Sequence, residues 1–148
     1  NNCFTHRDFH ASNIMLSNKK LGVIDSQDAI VGNPLYDVAS LIDDVRIKLP
    51  KNLQDKLLKY YIFKSKFKAK EEPKLKNDFD ILSVQRNLKI LGIFVRLYKR
   101  DQKPNYLKYL PYTWSIIEKR MKNAIFSKLG ILFKKHLPLK KLKKLKKI

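Results

Sequence analysis

The sequence predicts a mainly α-helical protein with one small β-hairpin. Three observations carry that expectation. Only 4 Gly and 6 Pro interrupt 148 residues, so long irregular stretches are disfavoured. Beyond Pro34, apolar residues recur at helical spacing. Before it, two short apolar runs bracket a polar tetrapeptide.

The elements follow in order. Residues 13–16 (Asn-Ile-Met-Leu) and 21–25 (Leu-Gly-Val-Ile-Asp) flank Ser17-Asn18-Lys19-Lys20, the pattern of a hairpin. Residues 30–34 read as a loop, and Pro34 sits where a helix can begin. Val38, Leu41, Ile42 and Val45 predict a helix over 35–48, ended by Pro50. Leu53, Leu57, Leu58, Tyr61 and Ile62 predict a second, reaching about Phe67. Residues 68–77, with Glu71-Glu72-Pro73, read as a polar linker. Phe79, Leu82, Leu91, Phe94, Leu97 and Tyr98 predict a long helix over about 78–100, broken at Asp101-Gln102-Lys103-Pro104. Shorter helices are expected near 105–110 and 112–127, separated near Pro111. Residues 129–148 form a basic tail helix in this reading. Its Leu139, Leu142, Leu145 and Ile148 recur every third residue, so the apolar stripe turns by about 60° per step.

Composition narrows the function class. The mixture of 44% apolar and 31% charged residues is that of a globular chain. Cys3 is the only cysteine, which leaves no disulfide framework and no cysteine-based metal site, and fits a reducing cytoplasm. The run Ile90-Leu91-Gly92-Ile93-Phe94-Val95 is too short to span a bilayer. The formal charge of +20 is uneven: residues 1–48 sum to −1 and the rest to +21. An acidic pocket beside a basic body suits a site that holds Mg²⁺ and binds anions. Only six of the 33 cations are Arg, without the arginine–aromatic clusters of nucleic-acid readers, so no nucleic-acid partner is expected.

The chemistry concentrates at the N-terminal end. His6-Arg7-Asp8 is followed by Asn13, five residues after Asp8, and the hairpin ends on Val23-Ile24-Asp25. Phosphoryl transfer from ATP needs a carboxylate to orient and deprotonate the attacking hydroxyl, and oxygen ligands for Mg²⁺ on the triphosphate. His-Arg-Asp with Asn five residues on is the spacing of a kinase catalytic loop. A loop lets Asp8 project, the return into a strand fixes Asn13, and the far end of the hairpin delivers a second carboxylate, Asp25. Turn, cap or strand-edge roles for all three would require a triple coincidence.

The segments HRDFHASNIML, GVIDSQDAIVGNPLYDVASL and QRNLKILGIFVRLYKRD resemble the C-terminal lobe of the aminoglycoside phosphotransferase and choline kinase-like family, over residues 3–126. The third segment resembles most the branch that phosphorylates the anomeric hydroxyl of N-acetylmuramate and N-acetylglucosamine in cell-wall recycling. The resemblance implies a protein-kinase-like fold, ATP and Mg²⁺ as cofactors, and a small sugar as acceptor. It implies Asp8 as catalytic base, and Asn13 and Asp25 as metal ligands. His10 becomes a phosphate contact or a hydrogen-bonded loop histidine. His6, Arg7 and Asp37 become supports of the catalytic loop, Arg7 by pairing with a carboxylate. Asp28 is an outer metal ligand or a solvated charge. Residues 1–128 would form the lobe, with the loop and metal hairpin at 4–28 and a helical substrate region at 34–127. Arg86 is the best choice for an arginine fork on a muramate carboxylate, ahead of Arg96 and Arg100. Tyr98, Tyr106 and Trp114 are core aromatics by default.

Two departures stand out. Ser26 replaces the apolar residue that follows the metal-binding aspartate in the branch. Only five residues precede His6, so the Gly-rich loop and strand lysine that kinases lay over the phosphates are missing. The chain therefore reads as a lobe without its nucleotide-binding partner, from a gene fragment or a split protein. The rival readings are a degenerate kinase-like scaffold and a basic helical module for anionic membrane or nucleic acid. The 148-residue chain alone is expected to bind ATP weakly and turn over negligibly; measurable sugar phosphorylation by it would overturn this.

Overall fold

The computed structural model describes residues 3–65 and 71–137. It is mainly helical, with two small antiparallel sheets. Packing divides the chain into two units, Asn1–Ser83 and Val84–Ile148.

The first unit begins with β1 (Cys3–Thr5), a 3-10 turn (Ala11–Asn13), β2 (Ile14–Ser17), β3 (Lys20–Val23) and β4 (Ile30–Gly32). Strands β2 and β3 form the expected hairpin, pairing Ile14 with Val23 and Ser17 with Lys20. Asn18 and Lys19 turn it with φ of 47° and 61°, the left-handed pair that matches strand twist. The β1–β4 sheet is a correction: residues 30–34 read as loop, yet Thr5 pairs with Ile30 and Cys3 with Gly32. Three-residue strands are too short to show a period, and their pairing spans most of the segment. Gly32 is suited to it, because a Cβ there would lie 3.2 Å from Thr5 Oγ1, on a side chain that is itself buried. The two strands thus clamp the base of the segment that carries His6 to Asp28.

Helix α1 (Leu35–Ile42) starts where Asn33 Oδ1 accepts the Leu35 N–H at 2.9 Å. It ends six residues before the expected 48, because polar side chains take over the backbone there. The buried Asp43 leaves helical geometry (φ −105°, ψ 36°) and accepts the Ser83 hydroxyl at 2.6 Å. Asp44 Oδ1 then accepts the Arg46 N–H at 2.9 Å. Helix α2 (Lys51–Lys64) follows Pro50 as expected; its expected end at 67 lies outside the described residues. Helix α3 (Glu72–Asp101) begins inside the segment read as linker. Pro73 occupies its first turn, where a missing N–H costs nothing. The Glu72 carboxylate suits that end of the dipole, and the Lys76 ammonium at 2.6 Å holds it below its usual range. Leu35, Ala39, Ile42, Ile62, Leu75 and Phe79 form one buried cluster from α1, α2 and the start of α3.

The second unit contains the rest of α3, a 3-10 stretch (Pro104–Tyr109), α4 (Leu110–Arg120), a 3-10 turn (Ala124–Phe126) and α5 (Ser127–His136). Pro111 lies in the first turn of α4, so it starts that helix rather than separating two. Met121 caps the helix, and Asn123 Oδ1 accepts the Ile125 N–H, which divides the expected 112–127 helix. Val84, Trp114, Ile117 and Phe126 are the core, and Phe133 stacks on Trp114 at 6.1 Å. Phe94 packs against Tyr106 and Tyr109. The basic tail helix, expected from 129 to 148, begins at Ser127 and stops at His136. Leu137 is extended (φ −101°, ψ 115°), as a residue before proline should be. Residues 138–148 lie outside the described residues.

Ser83 and Asp43 are both fully buried. Ser83→Ala removes a donor from an enclosed carboxylate and is expected to cost about 1–3 kcal/mol. Urea unfolding checks this; an unchanged midpoint would assign the bond no weight.

Candidate active site

The backbone between β1 and β2 cannot follow a regular path, because Arg7 sits at φ 72°. A non-glycine residue there is strained by roughly 1–3 kcal/mol, so something must hold it. Asp37, in the first turn of α1, does so. Its Oδ2 accepts the His6 N–H at 2.6 Å and its Oδ1 the Arg7 N–H at 2.9 Å. The Arg7 guanidinium donates to the Asp28 carbonyl at 3.3 Å. The pairing of Arg7 with a loop carboxylate is therefore corrected to a bond with backbone.

His6 is buried and ties the loop to the hairpin. One ring nitrogen, Nε2, lies 2.9 Å from the Ile24 carbonyl, and the other, Nδ1, accepts the Asp8 N–H at 3.3 Å. A carbonyl can only accept, so the proton belongs on Nε2 and the ring is the neutral tautomer. This fixes the position of Asp8 relative to the strand end that carries Asp25.

Asn13 joins the two carboxylate residues. Its Nδ2 donates to the Asp8 carbonyl at 3.0 Å and approaches Asp25 Oδ2 at 3.5 Å. Its own backbone carbonyl accepts the Ile24 N–H at 3.0 Å, which extends the hairpin ladder to the residue before Asp25. Asp25 is left-handed as well, at φ 70°. Gln27 Nε2 donates to Asp25 Oδ1 at 2.7 Å, a contact the sequence reading missed. The only signal for it was a polar amide two residues after the aspartate. Asp8 and Asp25 are exposed. No hydrogen bond engages the Asp8 carboxylate among the described residues, which leaves it open to an incoming hydroxyl.

The other expected residues fall elsewhere. The peptide N–H of His10 bonds the Asp8 carbonyl at 3.0 Å, and its side chain is buried, which suits a loop brace better than a contact to a dissolved phosphate. Asp28 is exposed and meets the site through its carbonyl. Arg86 lies on α3 in the second unit at 3% exposure; a side chain so enclosed presents no open fork to a sugar. Trp114 is core, as expected. An apolar cleft of about 400 Å³ lies beside the loop, against Phe4, Phe9, Leu41 and Tyr61. Asp37 reaches it, but Asp8, Asn13 and Asp25 do not.

The Asp25 carboxylate supplies oxygen donors at the hairpin mouth, and Asn13 presents its amide nitrogen to it, so its side-chain carbonyl joins the donor set only when the amide turns over. Hard oxygen donors fit Mg²⁺ and exclude soft metals. No group of three or more His, Cys, Asp or Glu converges among the described residues.

Comparison with known proteins bears on the same residues. The model of the phosphotransferase enzyme family matches residues 1–74. An N-acetylmuramate/N-acetylglucosamine kinase of Pseudomonas aeruginosa is 38% identical over 119 residues, covering 78% of this chain and 35% of that protein. One of Neisseria meningitidis is 37% identical over 112 residues, covering 73% and 34%. One of Caulobacter vibrioides is 27% identical over 145 residues, covering 91% and 38%. The chain spans about a third of the length of these curated relatives.

The grip of Asp37 on the loop is measurable. Asp37→Ala leaves two N–H groups without acceptors, each expected to cost about 1–3 kcal/mol. Amide exchange at His6 and Arg7 should accelerate more than exchange in α2. Equal protection in the variant would show that the loop holds itself.

Proposed function

Because the chain belongs to the phosphotransferase enzyme family, we propose that it is the catalytic-loop lobe of an ATP-dependent kinase that phosphorylates a sugar hydroxyl. The observation that carries this reading is the Asn13 amide, set between the Asp8 carbonyl at 3.0 Å and the Asp25 carboxylate at 3.5 Å. One short segment thereby holds the solvent-facing Asp8 carboxylate next to the Asp25 carboxylate and the Asn13 amide. Phosphoryl transfer needs little else from its protein beyond positioning and charge neutralisation.

Asp8 accepts the hydrogen bond of the acceptor hydroxyl and takes its proton as that oxygen attacks the γ-phosphorus. Asp25 and, with its amide turned to present the carbonyl oxygen, Asn13 would hold Mg²⁺, which would supply positive charge against the phosphate oxygens. Gln27 keeps one Asp25 oxygen oriented. His6, Arg7 and Asp37 hold the loop in shape and take no part in the proton transfer. His10 braces the loop from below. Residues 1–128 serve as the lobe in this reading, and a nucleotide-binding lobe is needed to complete the site.

The acceptor is proposed to be an N-acetyl amino sugar, N-acetylmuramate or N-acetylglucosamine, phosphorylated at its anomeric hydroxyl. The support is that the relatives matching most of this chain are N-acetylmuramate/N-acetylglucosamine kinases. Work in the cytoplasm, where ATP and recycled sugars meet, is part of the same proposal. No described helix is long and apolar enough to cross a membrane.

Asp8→Asn in the complete protein carrying this chain should lower kcat for sugar phosphorylation by about 10²–10⁴-fold, with the fold intact by circular dichroism. Near-normal turnover would remove Asp8 from the chemistry. Asp25→Asn should weaken Mn²⁺ binding in the presence of nucleotide, read by electron paramagnetic resonance. Unchanged affinity would move the metal elsewhere.

A further inference from the structure

Helix α5 (Ser127–His136) has two unlike faces. Leu129 and Phe133 turn inward and pack on the core of the second unit with Leu137. At 100° per residue, Lys128, Ile131, Leu132 and Lys135 share the opposite arc. That arc is exposed, with Ile131 at 67% and Leu132 at 51%. Two large aliphatic side chains therefore stand in water between two lysines, on a helix whose other face already satisfies the core.

The charge around them is of one sign. Residues 127–148 hold nine lysines and neither Asp nor Glu, and the last acidic residue of the chain is Glu118. We propose that the outward face of α5 docks on an anionic lipid bilayer. Lysines attract the surface potential and lay their stems along it, while aliphatic side chains enter the acyl boundary. A phosphate-only partner such as nucleic acid gains nothing from exposed Ile131 and Leu132. Nucleic-acid recognition also favours arginine and exposed aromatics. This stretch has no Arg, and its one aromatic, Phe133, stacks on Trp114. The proposal is independent of the phosphotransfer reading, because none of its residues belongs to the catalytic loop.

The test uses the full chain with three probes: vesicles of phosphatidylcholine, vesicles of phosphatidylcholine and phosphatidylglycerol in equal parts, and a DNA duplex. Binding to the anionic vesicles is expected to exceed binding to the neutral ones and to fall with added salt. The double variant Ile131→Gln, Leu132→Gln changes only exposed side chains, so the fold should persist by circular dichroism. It should weaken anionic-vesicle binding by about tenfold or more and leave DNA binding unchanged. Equal binding to neutral vesicles would overturn the proposal. So would a double variant that binds anionic vesicles as the parent does, or a chain that prefers DNA to those vesicles.

Discussion

One half-buried carboxylate organises the candidate site. Asp37 accepts two backbone N–H groups from a loop 30 residues away in sequence. Hydrogen bonds to a charged acceptor contribute about 1.5–3 kcal/mol each. The left-handed Arg7 costs about 1–3 kcal/mol. Two such bonds together outweigh that strain, which is how Asp37 can hold the loop in a strained shape. Asp37 in turn is placed by α1, which is anchored by Leu35, Ala39 and Ile42 in the core. The chain of causes runs from apolar packing, through one side chain, to the direction in which Asp8 points.

A second tie makes the loop and hairpin act as one piece. The neutral ring of His6 spans from the Asp8 peptide to the Ile24 carbonyl, and the Asn13 amide spans from the Asp8 carbonyl to Asp25. These bonds join positions 2 to 18 residues apart. The carboxylates of Asp8 and Asp25 themselves are exposed. The arrangement separates two tasks: enclosed groups hold geometry, and exposed groups are left for chemistry.

Legibility in the sequence differed by element. The loop and hairpin of the candidate site were readable because their spacing is local: Asp8, Asn13, Asp25 and the turn at Asn18-Lys19 lie within a short segment. The role of Asp37 as loop support was implied by resemblance to a family, not by periodicity. The β1–β4 pair escaped because three-residue strands carry no period. The early end of α1 escaped because Val45 continues the helical pattern while Asp43 and Asp44 redirect the backbone. The early start of α3 escaped because Glu71-Glu72-Pro73 looks like a linker and works as a helix N-terminus. Arg86 looked available on a helix and is enclosed.

The amino-acid sequence by itself determined the residue types, their local spacing and the mainly helical character of the chain, since propensity, periodicity and turn chemistry act between neighbours. It also determined the charge contrast between the first 48 residues and the rest. Only tertiary structure decided which side chains are enclosed, which nitrogen of His6 carries the proton, and that the Arg7 guanidinium bonds a carbonyl while its peptide N–H bonds the Asp37 carboxylate. Those outcomes depend on groups brought together across 18 to 40 residues. No local pattern encodes such distances, because they are set by how the packed core closes.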